Sequence, residues 1–583
     1  MLQGIDTFSS LYDHLKGLPE NETFLNHLEM GEWKSFSKSE FLETVRYLTL
    51  AFDARGWRDK KIAIAVSPSS YWLMVDYALM LCGAVSVPLF TTISTKNLHF
   101  EMENAEIHTV FMQTDAQKSA IYLADDSVAC IHFTPAEPKC QSFETFISEG
   151  KALDVADSLK FERLLSKITP QTPLTIVYTS GTSGLPKGAL LTHANLISQL
   201  IDTELNYKLY PGTDRALSIL PLAHIFERMV MHFYLCQGVS VYFVENIKNI
   251  ATIMQDVRPT LMTVVPRLLE KVYFKMYKKA HENSFFKRNI AMMAFRYAKQ
   301  KIPDGTSSLL YRIFDHLVYK KLRASLGGRF RMMISGGAHL SEEIGCFFTN
   351  IGISIYEGYG LTEASPVICA NAPGYNKIGT CGRHYAHTEV KLTEDGELLA
   401  RGPGIMQGYI NNPEATKEAL DDEGWLHTGD LATIDADGYI TITGRKKDLA
   451  KTSTGEYVSV HYIEELLTAS GWFDYAMIIG DNRPFVVVLL MLDQNMIRDY
   501  AHKNGFSTIE EAAVSKKFTQ QIDKLIERVN TKLNRWEKIR NYHLVTESLK
   551  IENGDITPSM KLARAHIEKH FEKEIAKMYG EHI

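Results

Sequence analysis

Residues 178–189 read YTSGTSGLPKGA. Glycines leave backbone N–H groups free to turn toward an anion, hydroxyls add donors and Lys187 adds a charge, so this stretch has the chemistry to hold phosphate. It is not the loop that serves γ-phosphoryl transfer, in which the lysine is followed by a Ser or Thr whose hydroxyl reaches Mg²⁺. Here Pro186 precedes Lys187 and Gly188 follows it. A kinase or Walker-type nucleoside triphosphatase therefore loses support, and a pyrophosphate that is bound and then released fits better.

Five further segments offer polar groups to such a ligand. SILPLAHIFER (218–228) sets His224 behind a proline, and ISGGAHL (334–340) puts Gly336 and Gly337 ahead of Ala338. YEGYGLTEASP (356–366) contains Glu357, Gly358, Tyr359, Gly360, Thr362 and Glu363. GWLHTGDLATIDADGYITITGRKKD (424–448) supplies Asp430, Arg445 and Lys447, and ITPSMKLAR (556–564) supplies Lys561. Singly, each has a plainer reading: a packed histidine, a helix N-cap at Thr362 with an acidic first turn, a turn aspartate, a surface arginine, a solvated lysine. Their order along one chain changes that reading.

The elements that must position these residues follow from the rest of the chain. With 583 residues it exceeds one ordinary core, so at least two domains are expected, one of them large. Hydrophobic residues make up 45% and the net charge is −6, a mild acidity that argues against nucleic acid as the main partner. The seven cysteines (82, 130, 140, 236, 346, 369 and 381) form no C-x-x-C pair, which fits a reducing compartment and no structural zinc. MLQGIDTFSSLYDHLKG lacks a basic segment followed by an apolar run, so no signal peptide is expected. YWLMVDYALMLCGAVSVPLF (71–90) has the length of a membrane span, but Asp76 lies inside it and Gly83 and Pro88 break it, so a buried helix leading into a core strand is expected. MHFYLCQGVSVYFVE (231–245) repeats that grammar.

Strand-like runs starting at Lys61, Leu174, Leu261 and Phe330 alternate with longer helical segments, which reads as an α/β fold with mostly parallel sheet and ligands at the Gly, Ser and Thr clusters ending the strands. No fixed-period repeat or low-complexity tract occurs. GRKKDLAKTSTGEY, from Gly444, is polar and basic, as an exposed connection between domains would be. Beyond it YAMIIGD and FVVVLLML are expected strands, and the residues from Val514 onward are expected helices, ending in one long helix over LARAHIEKHFEKEIAKMYG. The expected architecture is a large N-terminal domain of layered, mostly parallel sheets with helices (1–446) and a small C-terminal α+β domain (447–583).

In this order the segments resemble the motifs of the acyl-adenylate-forming superfamily, which includes acyl-CoA synthetases, luciferases and the adenylation domains of peptide synthetases. The resemblance spans nearly the whole chain. It implies attack of a substrate carboxylate on the α-phosphate of ATP, giving an acyl-adenylate and pyrophosphate, and then attack of a thiol with release of AMP. Such a carboxylate, with an ordinary pKa near 4, is already ionised, so the first step needs no general base. The resemblance further implies that Thr179, Ser180, Gly181, Thr182, Ser183, Gly184 and Lys187 hold phosphates, with Thr182 and Glu363 on Mg²⁺. It implies that Gly336, Gly337 and Ala338 face adenine, that Glu357, Gly358, Tyr359 and Gly360 line the same pocket with Tyr359 stacking, and that Thr362 touches phosphate. His224 becomes an active-site histidine, and Asp430 and Arg445 bind ribose. Lys447 becomes the hinge of a mobile small domain, which brings Lys561 to the site for the first step and a face with Lys451, Gly455 and Glu456 for the second.

The helical insertion over about 271–325 is similar to that of the long-chain fatty acyl-CoA synthetase branch, which implies a long-chain fatty acid as substrate. Between Lys271 and Lys301, nine Lys or Arg stand against Glu282 alone, interleaved with Phe274, Phe285, Phe286 and Phe295. Such a segment suits an anionic membrane surface as well as a solvated helical face. The expected location is cytoplasmic, with peripheral contact to the inner face of the membrane left open. Members of the branch often carry Lys where Glu456 stands and Pro where Val460 stands, so CoA is the first acceptor and the pantetheine of acyl carrier protein the alternative. KLNRWEKIR (532–540) would then serve that acidic carrier, or be an ordinary surface helix. A second alternative is a non-catalytic acyl- and nucleotide-binding protein at the membrane surface, against which Glu363 and Lys561 both argue. Some members of the superfamily dimerise, so a homodimer stays open.

Overall fold

The apolar runs starting at Lys61, Leu174, Leu261 and Phe330 become the strands Lys61–Ala65, Pro173–Thr179, Leu261–Val264 and Met332–Ser335. The structure, a computed structural model, describes residues 2–91, 93–113, 119–121, 127–133, 141–179, 185–245, 249–300, 308–446, 449–453, 456–550, 553–557 and 561–580.

Two of these strands sit in an eight-stranded sheet with the order Gly408–Tyr409, Lys187–Thr192, Pro173–Thr179, Val85–Pro88, Lys61–Ala65, Thr109–Met112, Ala129–His132, Gln141–Ser142. From Pro173–Thr179 onward its pairings are parallel, while its first two are antiparallel. The other two lie in a nine-stranded sheet whose centre, running from Ser354–Gly360 through Met332–Ser335, Leu261–Val264, Arg215–Ser218 and Ser240–Phe243 to Leu25–Glu29, is also parallel. The loops of interest leave the C-terminal ends of these strands, where open α/β sheets bind ligands.

Helices Ser70–Cys82 and Ile225–Cys236 run through the interior shared by the two sheets. Apart from Tyr71 in the first and Phe226 in the second, all their residues are buried, which is why their sequences are apolar on every face. Asp76 is fully buried and is matched by Arg228, whose Nη2 and Nε donate to Oδ1 and Oδ2 at 2.6 and 2.8 Å. Ser86 also donates to Asp76 Oδ1 at 2.7 Å, and Arg228 Nη1 donates to Thr175 at 2.7 Å. A charge that argues against a membrane span is thus the centre of a buried ion pair. No described helix is long and apolar enough to cross a membrane.

A four-stranded antiparallel sheet (Glu389–Leu392, Glu397–Arg401, Leu426–Ile434, Ile440–Arg445) follows. The small C-terminal sheet comprises Phe473–Ile479, Val486–Leu492 and Ile539–Val545. Helices Val460–Thr468 and Lys516–Asn530 cover one face of it, and Arg564–His570 and Glu572–Tyr579 cover the other. Coverage on both faces explains why VVVLLML is uniformly apolar.

Four expectations are corrected by the fold. Ile539–Val545 is a strand rather than helix: it pairs parallel with Val486–Leu492 at the edge of the sheet, and its RNYH centre hides any alternation. KLNRWEKIR is therefore a turn leading into that strand, not a surface helix. The final helix is two helices that break at Phe571. The connection after Gly444 is partly ordered, with Leu449–Lys451 paired to Tyr457–Ser459.

Helix Pro266–His281, which leads into the insertion, seats the small domain. Arg267 pairs with Asp474 and lies 4.5 Å over the Tyr475 ring, Lys278 pairs with Asp499, and the Phe274 ring rests against Gly471. Part of the basic charge is therefore spent on this junction.

Candidate active site

Strand Pro173–Thr179 turns back into Lys187–Thr192, with Thr179 opposite Lys187 across the ladder. Between them lie Ser180, Gly181, Thr182, Ser183 and Gly184, which are outside the described residues, as are Lys447 and Gly455. Lys187 Nζ sits 5.2 Å from the centre of the Tyr409 ring, and the Tyr409 hydroxyl donates to Glu363 Oε1 at 2.6 Å. Tyr409 thus joins Lys187 to Glu363. Burial and then the Glu363 carboxylate raise the Tyr409 phenol well above its usual range, so it stays a donor. Sequence reasoning misses Tyr409, which is marked only by the glycine-rich run at 402–408 and is placed by pairing of Gly408–Tyr409 with Lys187–Thr192.

Glu363 follows a strand end that only glycine allows, because a Cβ on Gly360 would lie 1.8 Å from the Pro366 carbonyl oxygen. Thr362, Glu363 and Ala364 form a short 3₁₀ turn, and Glu363 is 8% exposed. Among the described residues no cation pairs with this carboxylate. Nearly buried oxygens without a protein cation are the donor set of a hard divalent ion, so the site suits Mg²⁺.

His224 caps helix Ile225–Cys236, and its Nδ1 accepts the backbone N–H of Phe226 at 3.3 Å. That hydrogen bond assigns the ring proton to Nε2. Burial and then the Lys561 ammonium hold the imidazole down to about 4, so it is neutral at physiological pH. Lys561, from the small domain, therefore stands within electrostatic reach of His224 of the large domain. Thr557 and Lys561 are joined by two hydrogen bonds: Thr557 N–H donates to the Lys561 carbonyl at 2.7 Å and Lys561 N–H donates to Thr557 Oγ1 at 3.1 Å.

Gly336 ends its strand against an aromatic ring, since a Cβ there would lie 2.9 Å from Phe226. Its missing side chain thus serves a protein contact, while Gly337 (φ +83°) and Ala338 are exposed. Gly358 lies against the neighbouring strand, where a Cβ would be 3.5 Å from the Cys369 carbonyl oxygen. Asp430 and Arg445 are direct cross-strand partners, with Arg445 Nε donating to Asp430 Oδ1 at 2.9 Å. The Tyr359 hydroxyl donates to Asp430 Oδ2 at 2.6 Å. Each carboxylate oxygen keeps a lone pair for a ligand hydroxyl. Lys451 is not brought to this cluster by any described contact; its ammonium lies 5.5 Å over Tyr457 on the short ribbon of the small domain.

Glu357 faces the domain junction. Burial pushes it up to about 7, and burial together with Glu270, Glu464 and Glu357 pushes Glu465 of helix Val460–Thr468 up to about 8. Glu270 is also raised by burial, Glu464 is held by Arg564 at 2.7 Å, and His461 lies 3.3 Å from Glu465. Raised carboxyls favour this contact between the two domains while protonated, so the contact weakens as pH rises toward and through about 8 and is strongest on the acid side of about 7. Small-angle scattering at pH 6 and pH 8.5 is expected to show an open fraction that grows with pH and grows less in Glu465→Gln. An unchanged pH response in that variant would remove Glu465 from the explanation.

Residues 12–410 match the family described as AMP-binding enzyme, and residues 447–582 match the AMP-binding enzyme C-terminal domain. The long-chain-fatty-acid–CoA ligase FadD15 of Mycobacterium bovis is 30% identical over 584 residues, covering 98% of this chain and 96% of that protein. Long chain acyl-CoA synthetase 7, peroxisomal, of Arabidopsis thaliana is 32% identical over 549 residues, covering 88% and 76%. Among solved structures, the A domain of a carboxylic acid reductase from Segniliparus rugosus, in complex with AMP and a co-purified carboxylic acid, superposes with a TM-score of 0.74 at 18% identity, covering 99% of this chain and 95% of that one. With one family model matching residues 12–410 and its C-terminal-domain model matching residues 447–582, the chain belongs to the AMP-binding enzyme family.

Proposed function

We propose that this protein activates a long-chain fatty acid as its acyl-adenylate and transfers the acyl group to CoA, releasing pyrophosphate and then AMP. The observation that supports the reading is that Lys561 of the small domain stands within electrostatic reach of His224 of the large one, beside a large domain in which Tyr409 links Lys187 to Glu363 and Arg445 pairs with Asp430. The acid is chosen from the relatives named as long-chain fatty acid ligases, which align over almost the whole chain.

In the first step an oxygen of the fatty carboxylate attacks the α-phosphorus of ATP and the bond to the bridging oxygen of pyrophosphate breaks. Lys187, Lys561 and backbone donors offset the repulsion between carboxylate and polyphosphate, which at 4 Å is about 4 kcal/mol per charge pair at an effective dielectric near 20. Mg²⁺, held by Glu363 with Thr182, would supply further positive charge to the phosphates. Asp430 and Arg445 orient the ribose, and neutral His224 donates from Nε2. In the second step the thiol sulfur attacks the acyl carbon, AMP leaves with the oxygen it gained, and the thiol proton goes to solvent. Lys451 and Gly455 belong to the face proposed for that step.

CoA is the acceptor proposed first. One observation favours the acyl carrier protein as a second: Trp536, within KLNRWEKIR, donates from its indole N–H to the Tyr457 carbonyl at 3.2 Å, so this basic turn adjoins the ribbon carrying Lys451. Palmitate-dependent AMP formation with CoA, with holo acyl carrier protein and with neither separates the cases. Stimulation by CoA is expected. Stimulation by the carrier alone would replace the acceptor, and no AMP in any arm would leave an acyl- and nucleotide-binding protein.

A peripheral contact with an anionic, cytoplasmic membrane face is part of the proposal. Helix Phe285–Ala298 buries Ala291, Ala294, Phe295 and Ala298, yet exposes Phe286, Ile290 and Met293 along its other side. Leu309, Ile313 and Leu317, also exposed, repeat that spacing nearby. Lys287, Arg288, Arg312, Lys320 and Lys321 border these residues in sequence. Phe286→Asp with Leu309→Asp is expected to abolish sedimentation with phosphatidylserine vesicles while leaving AMP formation from micellar substrate intact; sedimentation equal to that of the parent would contradict the assignment.

A further inference from the structure

The end of the chain gathers ligating atoms for which the reaction has no use. Asp555 is 2% exposed; its Oδ2 accepts the Lys550 backbone N–H at 3.0 Å, while its Oδ1 is buried without a hydrogen-bond partner. Facing that oxygen are His566 and His570, four residues apart on helix Arg564–His570 and so on one side of it. His566 Nε2 lies 3.5 Å from Oδ1 and His570 Nδ1 lies 3.7 Å from it. One ligand atom from each of the three residues lies within 4.8 Å of the others. A buried carboxylate oxygen without a donor is costly until a cation meets it.

We propose that Asp555, His566 and His570 form a binding site for one first-row divalent metal ion of the zinc class. Ligand atoms around a tetrahedral zinc at about 2.0–2.1 Å stand about 3.3 Å apart. Both aspartate–histidine spacings are already near that value, and small rotations of the two exposed imidazoles close the third. The ring of His570 is steadied by stacking on Phe571 at 4.5 Å, and Glu547 Oε1 lies 3.6 Å from its opposite nitrogen, Nε2. A carboxylate there fixes the tautomer that leaves Nδ1 free for a metal. Two imidazoles and one carboxylate favour a borderline ion over Mg²⁺ or Ca²⁺, which prefer oxygen alone. Scattered cysteines are silent about such a site.

The position gives the ion a consequence. Ala563 N–H donates to the Asp555 carbonyl at 2.9 Å, closing the base of the strap that carries Lys561. A bound ion ties that base to helix Arg564–His570. This consequence rests on the proposed role of Lys561, whereas the site itself does not.

The test is calorimetric titration of zinc chloride into the untagged, EDTA-treated full chain without nucleotide, fatty acid or thiol, so that its outcome is independent of the activity. One ion per chain is expected, unaffected by excess Mg²⁺ and weakening at acid pH as protons compete for the imidazoles. His566→Gln with His570→Gln, at exposed positions that leave the fold intact by circular dichroism, is expected to weaken binding at least about 10- to 100-fold. No zinc binding by the parent chain, or equal affinity in the double variant, would overturn the proposal.

Discussion

Lys561→Ala is expected to lower the fatty-acid-dependent exchange of pyrophosphate into ATP by about 10²- to 10³-fold, the scale of losing one preorganised charge at a reacting phosphate. The affinity for ATP alone should change little, because Lys187 and the Asp430–Arg445 pair remain. Hydrolysis of a supplied acyl-adenylate or its transfer to CoA should also be largely spared, because the proposed second step makes no use of this ammonium. The split follows from where the lysine sits: exposed on the small domain, yet near enough to His224 to help depress its imidazole. Exchange in Lys561→Ala equal to that of the parent protein would mean that the closed junction is not the adenylating arrangement.

Arg228→Met is expected to destabilise the large domain by about 3–5 kcal/mol, because it removes the permanent cation from the fully buried Asp76 carboxylate and leaves it only Ser86 and His232, 3.3 Å away. Denaturant unfolding followed by tryptophan fluorescence reads this as a lowered midpoint. The damage should extend to the site: Arg228 N–H donates to the His224 carbonyl at 3.2 Å, so the helix that Arg228 anchors is the one His224 caps. Pairing Arg228→Met with Asp76→Asn should recover part of the loss, since no buried charge is then left alone. A loss of under about 1 kcal/mol in the single variant, the worth of a surface ion pair, would show that water reaches Asp76.

Much of the site was legible in the sequence because its motifs are local. A strand end and a helix cap are each specified within about a dozen residues, so Glu363 and His224 could be picked out as candidates from their order, and Asp430 and Arg445, picked the same way, prove to be ladder partners. The two central helices were legible for a different reason, since burial on every face leaves an unbroken apolar run. Contacts between residues distant in sequence were not legible. Tyr409 meets Glu363 only through strand pairing, and Arg228 meets Asp76 from 152 residues away. Strand Ile539–Val545 was missed because an edge strand with exposed Arg540 and Asn541 shows no alternation, its assignment being made by the ladder to Val486–Leu492. The carboxyl cluster of Glu270, Glu357 and Glu465 exists only once two domains meet, and no window of sequence contains it.

The measurement closest to the central claim follows one oxygen atom. Palmitate labelled with ¹⁸O in its carboxylate is incubated with ATP, Mg²⁺, CoA and the enzyme, and the AMP is analysed by mass spectrometry. Attack of the carboxylate on the α-phosphorus, followed by cleavage of the acyl C–O bond by the thiol, predicts one labelled oxygen in each AMP. Unlabelled AMP, or label appearing in inorganic phosphate together with ADP, would contradict an acyl-adenylate and with it the proposed roles of Lys561 and Glu363.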